Sequence, residues 1–436
     1  MHKPHKTSRP LTASPVYLVA HAINTLVRSW PAGTAYFIGV VLVTLCTGQL
    51  VHYQGSLARA VLPYVVQLRW GWHRVERALE RGKVSLDALF EGALTWGMER
   101  LPVAPVRLGR EQRTVQAIDS STLVRLRSRK ASAVLGKGYD QRANRAVRAN
   151  IVAALTSVVL LKGIRVGLVR RTRVGQSCEA AVAALFQDLP PSAEQRRFSV
   201  EAGIATVAQV AAATDHDALV GRLRKNGSLR RAPCPRRRGQ RGRPPVHGPV
   251  LHPGAKPPEG WADEDTTTID GREVRVRRWN QLHFARTPKT VIDVVRVEDP
   301  WYKRPLVIGS TARELTTEEI RQAYRHRWPV ETNFFVAQGT CAMEMPRAWT
   351  AQAVSRRLSL ALLCGSLLKA IAAACPALPM GPWDRKAVSS AGRLANHLDL
   401  HAQDFAALAL QGVVPRKYRK MPKAHHTTEL PLPLAA

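Results

Sequence analysis

The chain has 436 residues, with 65 Lys and Arg against 32 Asp and Glu, a formal net charge of +33 and a pI near 11.0. Its 45% hydrophobic content excludes a disordered polyelectrolyte and suffices for a large core with accessory domains. The basic excess, spread along the whole length, points to a polyanionic partner, of which nucleic acid is the commonest. Six cysteines form no CxxC pair and no zinc spacing, so they read as reduced thiols of a cytosolic protein without structural zinc.

Residues 1–15 are basic and polar and read as disordered. Residues 16–96 carry a helical pattern. Within it, 35–51 is a strongly apolar run, too short and too interrupted by Thr44, Thr47, Gly48 and Gln49 to span a membrane. It reads as a buried helix, and no membrane association is expected. A helix over 68–79, a break at Gly82 and a second helix capped by Ser85 fit either a helix-turn-helix DNA reader or a plain bundle. Pro102 and Pro105 mark a linker.

Residues 114–126 have strand character with Asp119 at the centre, where a carboxylate is costly unless paired or metal-bound. Residues 136–148 read as a glycine-bearing basic loop. Residues 149–161 and 164–171 read as a hairpin about Lys162-Gly163. A helix (177–189), a strand (197–202), a helix (206–213) and a strand (217–225) follow. Residues 227–260 are Pro-, Gly- and Arg-rich, an extended segment. In it, Arg241-Gly242-Arg243-Pro244 resembles an AT-hook core, which inserts arginines into narrow minor grooves. The other reading is a flexible basic linker that touches phosphates. Residues 269–310 alternate as further strands, with Asp293 read as a paired strand residue.

Thr316 with Glu319 three places on begins a helix over 316–340. Tyr324, Arg327, Glu331, Phe335 and Gln338 share one face of it, and Pro329 is expected to kink it. A long apolar helix follows at 351–374, then a basic tail. No phosphate-binding GxxxxGK[ST] occurs, so ATP use is not expected.

The spacing Tyr324, Arg327, Glu331 resembles the Y-R-E-K signature of DDE transposases of prokaryotic insertion sequences. The family's Lys falls at Gln338, a departure that concerns a DNA contact. The resemblance implies an α/β fold: a ribonuclease-H-like mixed sheet with helices, a helical N-terminal domain and a β-rich insertion before the last catalytic helix. The implied domains are 1–110 (helical, with a DNA-end-binding role), 111–227 and 312–376 (the two parts of the core), 228–311 (basic loop and insertion) and 377–436 (basic C-terminal region). The catalytic and metal-binding carboxylates implied are Asp119, Glu201 and Glu331. Glu201 stands where the family has Asp, with Asp215 and Asp217 as fallbacks; Glu344 lacks the Tyr/Arg spacing. Tyr324, Arg327 and Gln338 are the implied DNA contacts; Trp328 reads as a stacking face for a base or as core packing, and Arg241 and Arg243 as the minor-groove arginines. Two Mg²⁺ ions, replaceable by Mn²⁺, are the implied cofactors. Double-stranded DNA at element ends and target is the implied partner, for a homodimer in a synaptic complex, cytoplasmic and nucleoid-associated. Because of Glu201 and Gln338, the alternative is a catalytically inactive transposase-derived DNA-binding protein.

Overall fold

The computed structural model describes residues 14–65, 71–110, 112–125, 132–140, 143–189, 196–200, 217–224, 227–235, 242–255, 263–269, 271–301, 303–379, 384 and 387–415. The chain forms two compact units, one of residues 1–102 with 335–436 and one of residues 103–334. The expected division put 312–376 in one domain. Instead, the chain from Phe335 onward clusters with the N-terminal helices.

The helical unit is built on Ala351–Ala374, a helix buried along nearly its whole length. It is long and apolar enough to cross a membrane, yet 89% of its most apolar window lies inside the protein. Ala32–Cys46 packs on it and is apolar on every side, as a helix enclosed by others must be. This is the buried helix expected from the run at 35–51. Gly71–Arg81 and Leu86–Arg100 each pack on Ala351–Ala374, the arrangement of a bundle. Ser85 caps the second, accepting from the Ala88 amide at 3.2 Å. The first is closed by buried Arg356, which donates to the carbonyls of Leu79 and Gly82, both at 2.8 Å. These carbonyls have no partner within the helix.

The α/β unit carries one large mixed sheet. Its described strands are β1 (Val103–Pro105), β2 (Arg107–Leu108), β3 (Arg113–Val124), β4 (Gly136–Asp140), β5 (Arg145–Leu161), β6 (Ile164–Gly175), β7 (Arg197–Val200) and β8 (Ala218–Arg222). They continue with β9 (Leu229–Arg230), β10 (Val250–Leu251), β11 (Asp263–Ile269), β12 (Arg272–His283), β13 (Val291–Glu298) and β14 (Leu306–Ser310). The spine runs β6-β5-β3-β7-β8-β14-β13-β12-β11. The first three strands are antiparallel, β3, β7 and β8 are parallel, and the rest are antiparallel.

Local chemistry accounts for much of this order. Lys162 (φ 49°) and Gly163 (φ 79°) are both left-handed, the two-residue turn whose twist matches the β5–β6 hairpin. Ser177 caps the helix Cys178–Gln187 by accepting from the Ala180 amide. That helix lays Val182, Leu185 and Phe186 on the sheet core beside Ile118, Phe198 and Leu219. Two expectations need correction. Residues 136–148 are not a loop: β4 and the start of β5 pair there, Gly138 opposite Val147. The strands after residue 228 do not stand apart from the first five, because β14 pairs with β8 (Gly309 opposite Gly221) and continues the sheet. The helix expected at 206–213, the disordered reading of 1–13 and the basic tail beyond 415 lie outside the described residues.

Gly167 on β6 leaves no room for a side chain. A Cβ there would stand 2.5 Å from Thr156 Cγ2 and 2.8 Å from Asn333 Nδ2. Gly167→Val therefore lowers stability by about 1–3 kcal/mol through overpacking. Chemical denaturation would check it; an unchanged midpoint would contradict the close packing.

Candidate functional site

The site begins with a broken helix. Thr316 Oγ1 accepts from the Glu319 amide at 3.2 Å and Glu319 Oε2 accepts from the Thr316 amide at 2.8 Å, the expected capping box. The helix Thr317–Arg325 buries Ile320 and Ala323, then stops at His326. A second helix starts at Trp328 and runs to Gly339. The single kinked helix expected over 316–340 is thus two helices. Pro329 is the second residue of the later one, where a missing amide hydrogen costs nothing. The unit boundary falls at Phe335, and Gln338 belongs to the helical unit.

Arg327 sits in the link between the helices, 8% exposed. Its Nη1 donates to Asp119 Oδ2 at 2.6 Å, and its Nη2 pairs with Glu331 Oε1 one turn on. Asp119 lies 208 residues earlier, on β3, 5% exposed. Its other oxygen accepts from the Ser120 amide at 2.7 Å. Burying a carboxylate on a central strand is sustained by such charge-assisted bonds. The Arg327 guanidinium also stands 5.4 Å from the Tyr324 ring centroid. Glu331 is partly exposed, so the cluster is closed at Asp119 and open to solvent at Glu331.

Two anchors that the sequence reasoning missed hold these groups. The Tyr324 carbonyl accepts from Ser199 Oγ on β7 at 3.3 Å. Asn333, fully buried, donates to the Gly167 carbonyl on β6 at 3.1 Å. An asparagine among Val330, Phe334 and Ala337 on an apolar helical face was the available signal.

β3 and β7 pair in parallel up to Ile118 opposite Val200. Glu201 follows Val200 in sequence and lies outside the described residues, as do Asp215 and Arg241. Asp217 is held by Arg196 through Nε at 3.0 Å and Nη2 at 2.8 Å in a buried ion pair. Asp293 is buried and bound to Arg278 at 2.7 Å and the Gln281 amide at 3.0 Å, a structural role. Glu344 and Arg243 are exposed. Trp328 is 63% exposed, its ring free of the core.

His326, in the link, is pushed down to about 4 by burial, with Arg165 and Arg325 adding repulsion. It is neutral in the folded protein at neutral pH.

No protein-family model matches this chain, and no curated protein sequence matches it.

The donors that converge are carboxylate oxygens, the chemistry a hard divalent cation requires. Among the described residues, no group of three or more His, Cys, Asp or Glu is gathered to hold one. Asp119 and Glu331 supply two carboxylates, with the Arg327 guanidinium between them. A third carboxylate would have to come from residues outside those described. Asp119 and Glu331 thus match a cation in donor type, while the space between them is taken by the Arg327 guanidinium.

Two predictions follow from the geometry. Arg327→Gln leaves a buried carboxylate uncompensated and costs about 3–5 kcal/mol. Adding Asp119→Asn restores part of that loss, and a strictly additive double-variant result by urea denaturation would contradict the ion pair. For His326, the unfolded state binds more protons than the folded one between about 4 and the ordinary 6.5. Stability contributed by the neutral ring is therefore present above pH 6.5 and lost as pH falls toward 4. In His326→Gln, this part of the pH dependence of unfolding flattens; an unchanged slope would contradict it.

Proposed function

We propose that this protein is a DNA transposase of the insertion-sequence type, performing metal-dependent phosphodiester hydrolysis and strand transfer at element ends. The observation that carries the reading is Arg327 joining Asp119 to Glu331 across 208 residues of chain. It unites the Tyr-Arg-Glu spacing with the carboxylate singled out on an apolar strand. The strand order supports it as well. β6-β5-β3 are antiparallel, β7 and β8 are parallel to β3, and the helix Cys178–Gln187 lies between β6 and β7 in sequence. A ribonuclease-H-like sheet calls for such an order, which supports the reading. The charge of +33 supports a nucleic-acid partner.

In this reading Asp119, Glu331 and Glu201 would hold two Mg²⁺ ions, or Mn²⁺ in their place. Bound there, the ions would supply activation of the attacking oxygen and stabilisation of the leaving oxygen. Asp119 is oriented by the Ser120 amide at one oxygen, and its other oxygen is freed when Arg327 leaves it. Arg327 transfers its fork to a substrate phosphate, neutralising charge in bidentate fashion. Tyr324, tied by its carbonyl to Ser199, presents its hydroxyl to a phosphate oxygen. Trp328, already exposed, offers a stacking face to a base. In the first step water attacks a phosphodiester and the bond to the 3′ oxygen breaks, releasing a 3′-hydroxyl. In the second, that hydroxyl attacks another phosphodiester: the new P–O bond joins the strands while the attacked phosphodiester's own bond to its 3′ oxygen breaks, releasing a second 3′-hydroxyl. The proposal includes a homodimer in the synaptic complex and a cytoplasmic, nucleoid-associated location.

A second reading is a catalytically inactive, transposase-derived DNA-binding protein. It is favoured by one observation: both described carboxylates are engaged by Arg327.

The test is cleavage of duplex DNA carrying the sequences that flank the gene, with Mg²⁺ or Mn²⁺. Nicking at one position is expected, reduced at least about 10³-fold in Glu331→Gln and Asp119→Asn with DNA binding retained. Nicking that survives both substitutions removes the assignment. Binding without nicking, and no rescue by Glu201→Asp, would favour the second reading.

A further inference from the structure

In the helical unit, a cleft of about 360 Å³ is lined by His52, Tyr53, Gln54, Ser56, Arg59 and Arg347. Every lining residue offers a hydrogen-bond donor, and none is a carboxylate. Among the described residues, neither Arg59 nor Arg347 has a carboxylate partner. Two arginines lining one space carry like charges that an entering anion would offset. His52 adds positive charge when protonated, and reaches Asp399 at 3.9 Å.

The walls of this cleft are built rather than incidental. Residues 53–56 form a tight turn with Gln54 (φ 50°) and Gly55 (φ 80°) both left-handed. Gly55 donates to the Leu50 carbonyl at 2.6 Å, and a Cβ on it would stand 2.3 Å from the Met345 carbonyl oxygen. The two walls are stapled from beneath by Arg357, which is buried. Its guanidinium donates to the Arg347 carbonyl at 2.6 Å and to the Gly55 carbonyl at 3.1 Å. One arginine is thus spent inside the protein to fix the backbone that presents two others to solvent. Such preorganisation lowers the cost of binding.

We propose that this cleft is a phosphate-binding site, with Arg59 and Arg347 as paired forks and Gln54, Ser56 and Tyr53 as supporting donors. Guanidinium planes match the oxygen edges of phosphate. The open side admits either a phosphodiester within a nucleic-acid backbone or a free phosphate compound. The site stands on the helical unit alone and does not depend on Asp119, Glu331 or the proposed reaction.

The experiment uses the full chain in two arms. In the first, the affinity for a labelled duplex is measured by anisotropy over a salt series. This is done for the native chain, Arg59→Gln/Arg347→Gln, and a control pair outside the cleft, Arg28→Gln/Arg100→Gln. Each backbone phosphate released makes the log–log salt slope less negative by about 0.9. In the second, inorganic phosphate is tested for protecting Arg59 and Arg347 of the native chain from an arginine-selective dicarbonyl, read by peptide mass. A slope change of about one to two in the cleft pair, exceeding the control pair, assigns the site to a nucleic-acid backbone. Protection by phosphate with no such change assigns it to a free phosphate compound. No protection, together with a slope change no larger than the control's, overturns the proposal. The protection arm decides by itself if the double variant fails to fold.

Discussion

The Arg327 guanidinium between Asp119 and Glu331 is the interaction around which the α/β unit's candidate site is arranged. Asp119 is buried on a strand flanked on both sides, so its charge needs a partner at that position. Arg327 can reach it only because the chain stops being helical at His326 and restarts at Trp328. The link sets the guanidinium over the sheet while Glu331 remains one turn on. The break is thus the means by which one arginine serves two carboxylates. It is held in place by Ser199 on one side and by Asn333 against Gly167 on the other.

Buried arginines recur as structural fasteners in this chain. Arg356 closes a helix through carbonyls, Arg357 joins two backbone segments, and Arg196 fixes Asp217 at the foot of β8. These residues contribute to the formal charge of +33 without being available to a polyanion at the surface. The net charge alone therefore overstates the binding surface. What matters is which guanidinium groups face solvent outside any ion pair, as Arg59 and Arg347 do among the described residues.

Features set by near neighbours were legible in the sequence. The capping box at Thr316, the Ser85 cap, the Lys162-Gly163 turn and the burial of the apolar run near residue 40 rest on interactions within a few residues. The helix break was legible in part, since a proline belongs in a helix's first turn more readily than in its middle. Pairings set by distant chain were not. Nothing local in Leu306–Ser310 says that it joins β8, and nothing local in Phe335 says that it belongs with residues 1–102. Of the site, the Asp119 strand position and the Arg327–Glu331 spacing were readable. Their meeting came only from the resemblance, because it depends on tertiary placement.

The nested order of the two units has a consequence for biosynthesis. Ala32–Cys46 emerges from the ribosome early, whereas Ala351–Ala374, the helix it packs on, follows the whole of residues 103–334. At about 5–20 residues per second, the intervening stretch takes on the order of 10–50 s to make. For that interval an apolar helix waits without one of the helices that cover it, a substrate for chaperones and a seed for aggregation. The α/β unit, contiguous in the chain, has time to fold first, and the helical unit closes only when synthesis is almost complete.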